Sequence, residues 1–154
     1  MNPIELSEEI AFELESMQIT VDELVSLHQD MVNKEPTLRD KTAAAAFLSQ
    51  FYNGLENILK RIYRYYGISL PTGETWHLDL FQSFCSPTHS NLPQLFDQDL
   101  ASALAPYRRF RHVAFHSYGF QLDWSRMVTG VENVKSVFEQ IKSNISAYLR
   151  SIDG

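Results

Sequence analysis

The sequence predicts an all-α protein, an up-and-down four-helix-type bundle with one additional short helix. Three observations carry that prediction. Apolar residues recur at steps of three and four along several long stretches, the period of a helix face packed on a core. No stretch alternates apolar and polar residues as a half-buried strand does. Capping residues stand where these stretches start, and Gly or Pro follows where they stop.

The first stripe is Leu6, Ile10, Leu14, Met17, Val21, Leu24, His28 and Met31. Asn2 supplies its N-cap, Pro3 its first position and Glu5 the capping-box acid, and Pro36 lies beyond its end. A second stripe, Leu48, Phe51, Leu55, Ile58, Ile62 and Tyr65, starts near a cap at Thr37 and stops at Gly67 and Pro71. The run Ala43 to Ala46 suits close approach by a neighbouring helix. Residues 69–75 read as a turn, 74–84 as a shorter helix and 86–93 as a polar loop. A further helix is expected from Pro93 or Asp97 to Ser117, with a kink at Pro106, which lacks a backbone donor. Gly119 marks its end. Asp123 then caps a last helix with the stripe Met127, Val131, Val134, Phe138, Ile141, Ile145, Tyr148 and Ile152.

At 154 residues the chain is read as a single domain spanning 1–154, long enough to bury a core without covalent staples. One cysteine, Cys85, excludes an internal disulfide and a multi-cysteine zinc site. It is read as a small filler, not a nucleophile. No apolar run reaches the length needed to span a bilayer, and the N-terminus carries acids where a signal peptide needs bases, so a cytoplasmic protein with no membrane partner is expected. The net charge of −6 argues against a general nucleic-acid binder. Its distribution matters more. Residues 1–33 hold eight acids and no Lys or Arg, which leaves the remainder net basic. Arg108, Arg109 and Arg111 cluster in a stretch free of acids, and Lys60, Arg61 and Arg64 form a second basic group. A local phosphate site is compatible with the acidic total.

Chemistry concentrates in Tyr107-Arg108-Arg109-Phe110-Arg111-His112-Val113-Ala114-Phe115-His116-Ser117-Tyr118. Cleavage of RNA without a metal needs a group to take the 2′-OH proton, a group to protonate the leaving 5′-oxygen, and a cation for the phosphoryl charge. Histidine titrates near neutrality and can do either proton task, while arginine holds phosphate in a fixed, permanently charged fork. On an ideal helix Arg111 and His116 lie roughly 140° apart. They serve one phosphate only if the helix distorts near Gly119 or a second copy completes the site. Spacing alone leaves other readings open. The stretch can be a solvated basic face, and His112 with His116 matches a zinc-ligand spacing, though without a third ligand at a recognisable offset.

Arg111 to His116 is also the R-x4-H signature of the HEPN superfamily, with a polar residue, His112, after the arginine. Tyr118 extends it to the R-x4-H-x-Y form of the HepT toxins. Phe51-Tyr52-Asn53-Gly54-Leu55-Glu56 resembles the second-helix segment of HepT-like ribonucleases, and Leu70-Pro71-Thr72-Gly73-Glu74-Thr75-Trp76-His77 the turn that follows it. The likeness runs from about residue 4 to residue 150. It implies the HEPN helical bundle, a homodimer that brings two motifs into one cleft, and metal-independent endoribonuclease activity with no cofactor. In that reading Arg111 holds the scissile phosphate of an RNA, transfer or messenger, and His116 transfers protons. His112 and Arg109 support the site. The resemblance further implies a type II toxin–antitoxin system, in which a minimal nucleotidyltransferase antitoxin attaches AMP to Tyr118. The adduct would add bulk and negative charge beside Arg111. The alternative is a non-catalytic HEPN binding module that partners a nucleotidyltransferase. Trp76 and His77 are read as packing and capping residues, Glu56 as either a groove residue or a partner for Lys60 four residues later, and Tyr63, Tyr65 and Tyr66 as packing and surface residues.

Overall fold

The computed structural model describes residues 2–116, 118 and 121–153, the side chains of 112–116 excepted. Among these, five helices follow one another: α1 (Pro3–Asp30), α2 (Leu38–Tyr65), α3 (Trp76–Gln82), α4 (Gln98–His116) and α5 (Trp124–Asp153). No strand occurs among the described residues. The four long helices pack into the bundle expected, with α2 touching each of the other four.

Local signals place the helix ends. Asn2 and Glu5 form a reciprocal capping box at α1, and Thr37 and Asp40 form another at α2. Asp97 Oδ1 accepts from Leu100 N at 2.8 Å to open α4, and Asp123 Oδ1 accepts from Ser125 N at 3.0 Å to open α5. Helix α2 stops at Gly67, whose φ of 67° is left-handed. Ile68 N then donates to Tyr63 O and Gly67 N to Arg64 O, satisfying carbonyls the helix end would otherwise strand. Helix α4 runs continuously through Pro106.

The stripes meet in one core. Leu6, Ile10, Leu24, Phe51, Leu55, Ile58, Ile62, Val134, Ile141 and Ile145 are all fully buried. Gly54 lets α1 approach α2 closely, since a Cβ there would stand 2.5 Å from Met17 Cγ. A charged contact also joins these two helices. Glu13, buried on α1, receives Arg61 Nη2 at 2.9 Å, and the same guanidinium reaches Glu9 at 2.8 Å. The segment between α3 and α4 is tied down by Leu92, Leu95 and Phe96, all buried, with Leu95 N and Phe96 N both donating to Phe84 O. Asn144 of α5 donates to Leu95 O at 2.8 Å. Among the described residues no helix is long and apolar enough to cross a membrane.

Candidate functional site

Helix α2 is the wall on which the site is built. Tyr52, Asn53 and Glu56 lie within one turn of each other, and Glu56 is almost fully buried. An ionised carboxylate in such a place must be paired. Its two oxygens are divided between two other elements. Oε2 meets His77 Nδ1 of α3 at 2.6 Å, and Oε1 stands 3.5 Å from Arg111 Nε of α4. Arg111 Nε also donates to Asn53 Oδ1. One carboxylate and one amide of α2 therefore fix both a histidine and the motif arginine, which are 34 positions apart in sequence (Arg111 less His77).

His77 and Arg111 face a cleft of about 480 Å³ whose lining also includes Tyr52, Glu74, Arg108 and Arg109. The three arginines make its mouth cationic, and Arg111 is held through Nε by Asn53 and Glu56. Arg109 is exposed at the rim. Arg108 is half-buried, 5.8 Å above the ring of Phe81, and among the described residues its Nε has no hydrogen-bond partner. Burial, first, and the Glu56 carboxylate, second, push the Tyr52 hydroxyl above the ordinary tyrosine range. It stays neutral, and among the described residues it too lacks a partner. The ring of His77 rests on Trp76, their centroids 3.4 Å apart, and Lys60 Nζ covers Trp76 from 4.8 Å.

Of the residues picked from sequence, Arg111 and Arg109 both reach this cleft. Helix α4 continues through His112 and His116, whose side chains lie outside the described residues. Tyr118 is 72% exposed, and its backbone N donates to Gln121 Oε1 at 2.9 Å. Asn53 and His77 carry more of the geometry than the sequence suggested. Glu56 pairs with His77 and Arg111, while Lys60 turns to Trp76. Glu56 and His77 each close a segment that resembles the family's, but neither stripe nor spacing indicated that the two side chains pair. Burial raises the Cys85 thiol, with Arg108 opposing, as suits a filler that donates weakly to Phe81 O. A groove between α4 and α5, about 590 Å³, has Asp99 and Arg126 as its charged lining, a poorer match to a polyanion.

A family profile described as HepT-like protein matches residues 43–152. The chain belongs to the HepT-like family. The matched region of this HepT-like protein contains α3, α4 and nearly all of α2 and α5, and so the entire Asn53–Glu56–His77–Arg111 arrangement. No curated protein and no solved structure matches the chain.

Proposed function

We propose that this HepT-like protein is an endoribonuclease toxin that cleaves RNA at a site built around Arg111 and His116. The observation that carries the reading is the cationic cleft in which Arg111, held by Asn53 and Glu56, stands beside Arg108 and Arg109. In the proposed reaction Arg111 holds the scissile phosphate and the charge that builds on it. His116 transfers a proton. The 2′-oxygen attacks phosphorus, the bond to the 5′-oxygen breaks, and a 2′,3′-cyclic phosphate is left. Arg111 and His116 stand on one continuous helix, roughly 140° apart on its ideal wheel. A homodimer in which each copy supplies part of the site resolves that geometry. The reaction as proposed calls for no metal. His112 and Arg109 support the site, Arg109 as one of its cationic residues.

The test is cleavage of bulk transfer RNA and a mixed-sequence RNA oligonucleotide by purified, unmodified protein in EDTA. Wild type is expected to cleave. His116→Ala and Arg111→Lys are expected to lose about 10²-fold or more, the second because lysine keeps the charge but not the fork. Undiminished cleavage by both variants would refute these assignments.

Regulation follows from Tyr118. Its exposure suits a hydroxyl reached by a nucleotidyltransferase antitoxin. Co-expression with the cognate transferase is expected to add AMP to Tyr118, read by intact mass, and Tyr118→Phe is expected to escape. An adduct mapped elsewhere refutes that site.

A further inference from the structure

The reaction just proposed needs two proton transfers, and the cleft holds a histidine that the motif does not include. His77 comes from α3, outside the R-x4-H stretch. Its ring is one-third exposed, lines the same cleft as Arg111, and gives Nδ1 to the buried Glu56 at 2.6 Å. Glu56 presents its other oxygen to Arg111 Nε, so the imidazole and the guanidinium are separated by one carboxylate.

A buried carboxylate that accepts from one ring nitrogen selects the tautomer protonated there. The other nitrogen is left with its lone pair. In that tautomer Nδ1 carries the proton toward Glu56, and Nε2 is the basic atom of a ring that lines the cleft. Among the described residues Nε2 has no hydrogen-bond partner. The close, tilted contact with Trp76 limits rotation of the ring, and the contact to Glu56 sets its angle. The arrangement has the working parts of a histidine–carboxylate dyad, with base, orienting carboxylate and an adjacent anion holder.

We infer that His77 is the general base of the proposed cleavage and that Glu56 is its positioning residue. The inference rests on the ribonuclease reading above. His77 Nε2 takes the proton of the 2′-hydroxyl as that oxygen bonds to phosphorus. Arg111 carries the phosphoryl charge, and the departing 5′-oxygen receives its proton from His116. The charged and titratable groups around the His77 ring are Glu56 and Tyr52 on α2, with Lys60 behind Trp76, then Arg108, Arg109 and Arg111 on α4. Glu74 precedes α3, and Asp79 lies on α3 itself.

The experiment uses the full-length, unmodified protein with a mixed-sequence RNA oligonucleotide across a pH series. It compares wild type, His77→Ala, His77→Gln, Glu56→Gln and His116→Ala, each checked by thermal melt. His77→Ala and His77→Gln are expected to lose about 10²-fold or more. The acid limb of the wild-type pH–rate profile should vanish in both, and added imidazole should restore part of the His77→Ala loss. Glu56→Gln should keep part of the activity and shift that limb, because the hydrogen-bond acceptor stays but the charge goes. His77 variants that cleave within a few-fold of wild type, beside an inactive His116→Ala, overturn the inference and leave the ribonuclease reading standing. A loss in His77→Ala with an unchanged pH profile and no response to imidazole also overturns it, and marks His77 as packing. Absence of cleavage by wild type overturns the ribonuclease reading, and this inference with it.

Discussion

Two glycines lie inside long helices, and the structure assigns opposite consequences to the same substitution. Alanine in a helix interior is favoured over glycine by about 1 kcal/mol, because the unfolded glycine has more freedom to lose. At Gly130 of α5 an added Cβ would meet Tyr107 Cε1 at 3.5 Å, an ordinary contact. Gly130→Ala should therefore stabilise by most of that amount. At Gly54 the same Cβ would stand 2.5 Å from Met17 Cγ and 3.1 Å from its sulfur. Met17 is 2% exposed, so the side chain has little empty space to enter. Overpacking of this kind costs about 1–3 kcal/mol. After the propensity gain, Gly54→Ala should destabilise by about 1 kcal/mol, a fall of about 2–4 °C in melting temperature for a chain of this size.

Thermal and urea melts followed by far-UV circular dichroism measure both variants. Met17→Ala supplies the decisive control. Alone it should cost about 2–5 kcal/mol by opening a cavity. In the Gly54→Ala background it should cost less, because the new methyl group both loses its clash and fills part of the hole. The coupling should reach about 1 kcal/mol. Equal shifts for Gly54→Ala and Gly130→Ala, with Met17→Ala additive in both, would show that α1 and α2 are not in the contact described.

Other expectations rest on single contacts. Tyr107→Phe removes the bond from its hydroxyl to Gly130 O at 2.7 Å and should cost about 1 kcal/mol in a urea melt. Arg61→Ala leaves the buried Glu13 carboxylate without its cation and should cost about 3 kcal/mol, against near-neutrality for Arg126→Ala at the exposed pair with Asp123. A loss at Arg61 no larger than at Arg126 would contradict the burial of that pair. Burial raises the hydroxyls of Tyr52, Tyr107 and Tyr148. A group raised on folding contributes stability below its unfolded value, about 10 for tyrosine, and that stability is lost as pH climbs toward the folded value. Alkaline titration should therefore show the tyrosinate absorbance of these three residues rising together with loss of helix above about pH 10. Ionisation of all seven tyrosines near that pH in a still-helical protein contradicts it.

The bundle was legible in the sequence because its signals are local. The stripe from Leu48 to Ile62 and that from Met127 to Tyr148 became buried faces, since a helix of fixed pitch has one way to present such a pattern to a core. Asn2, Thr37, Asp97 and Asp123 cap helices because their side chains reach backbone groups two or three residues on, whatever the rest of the chain does. The motif arginine was legible too, as part of a family signature. Its environment was not. Glu56 could as well have met Lys60 one turn along its own helix, and that choice depends on which face of α2 receives α3 and α4. His77 looked like a capping residue of a short helix. Only the packing of α3 on α2 brings it to a buried carboxylate 21 positions away. Helix periodicity is a property of neighbours in sequence. The pairing of Asn53, Glu56, His77 and Arg111 belongs to three helices meeting, and tertiary packing decided it, because an almost fully buried carboxylate must take its partners from whatever elements enclose it.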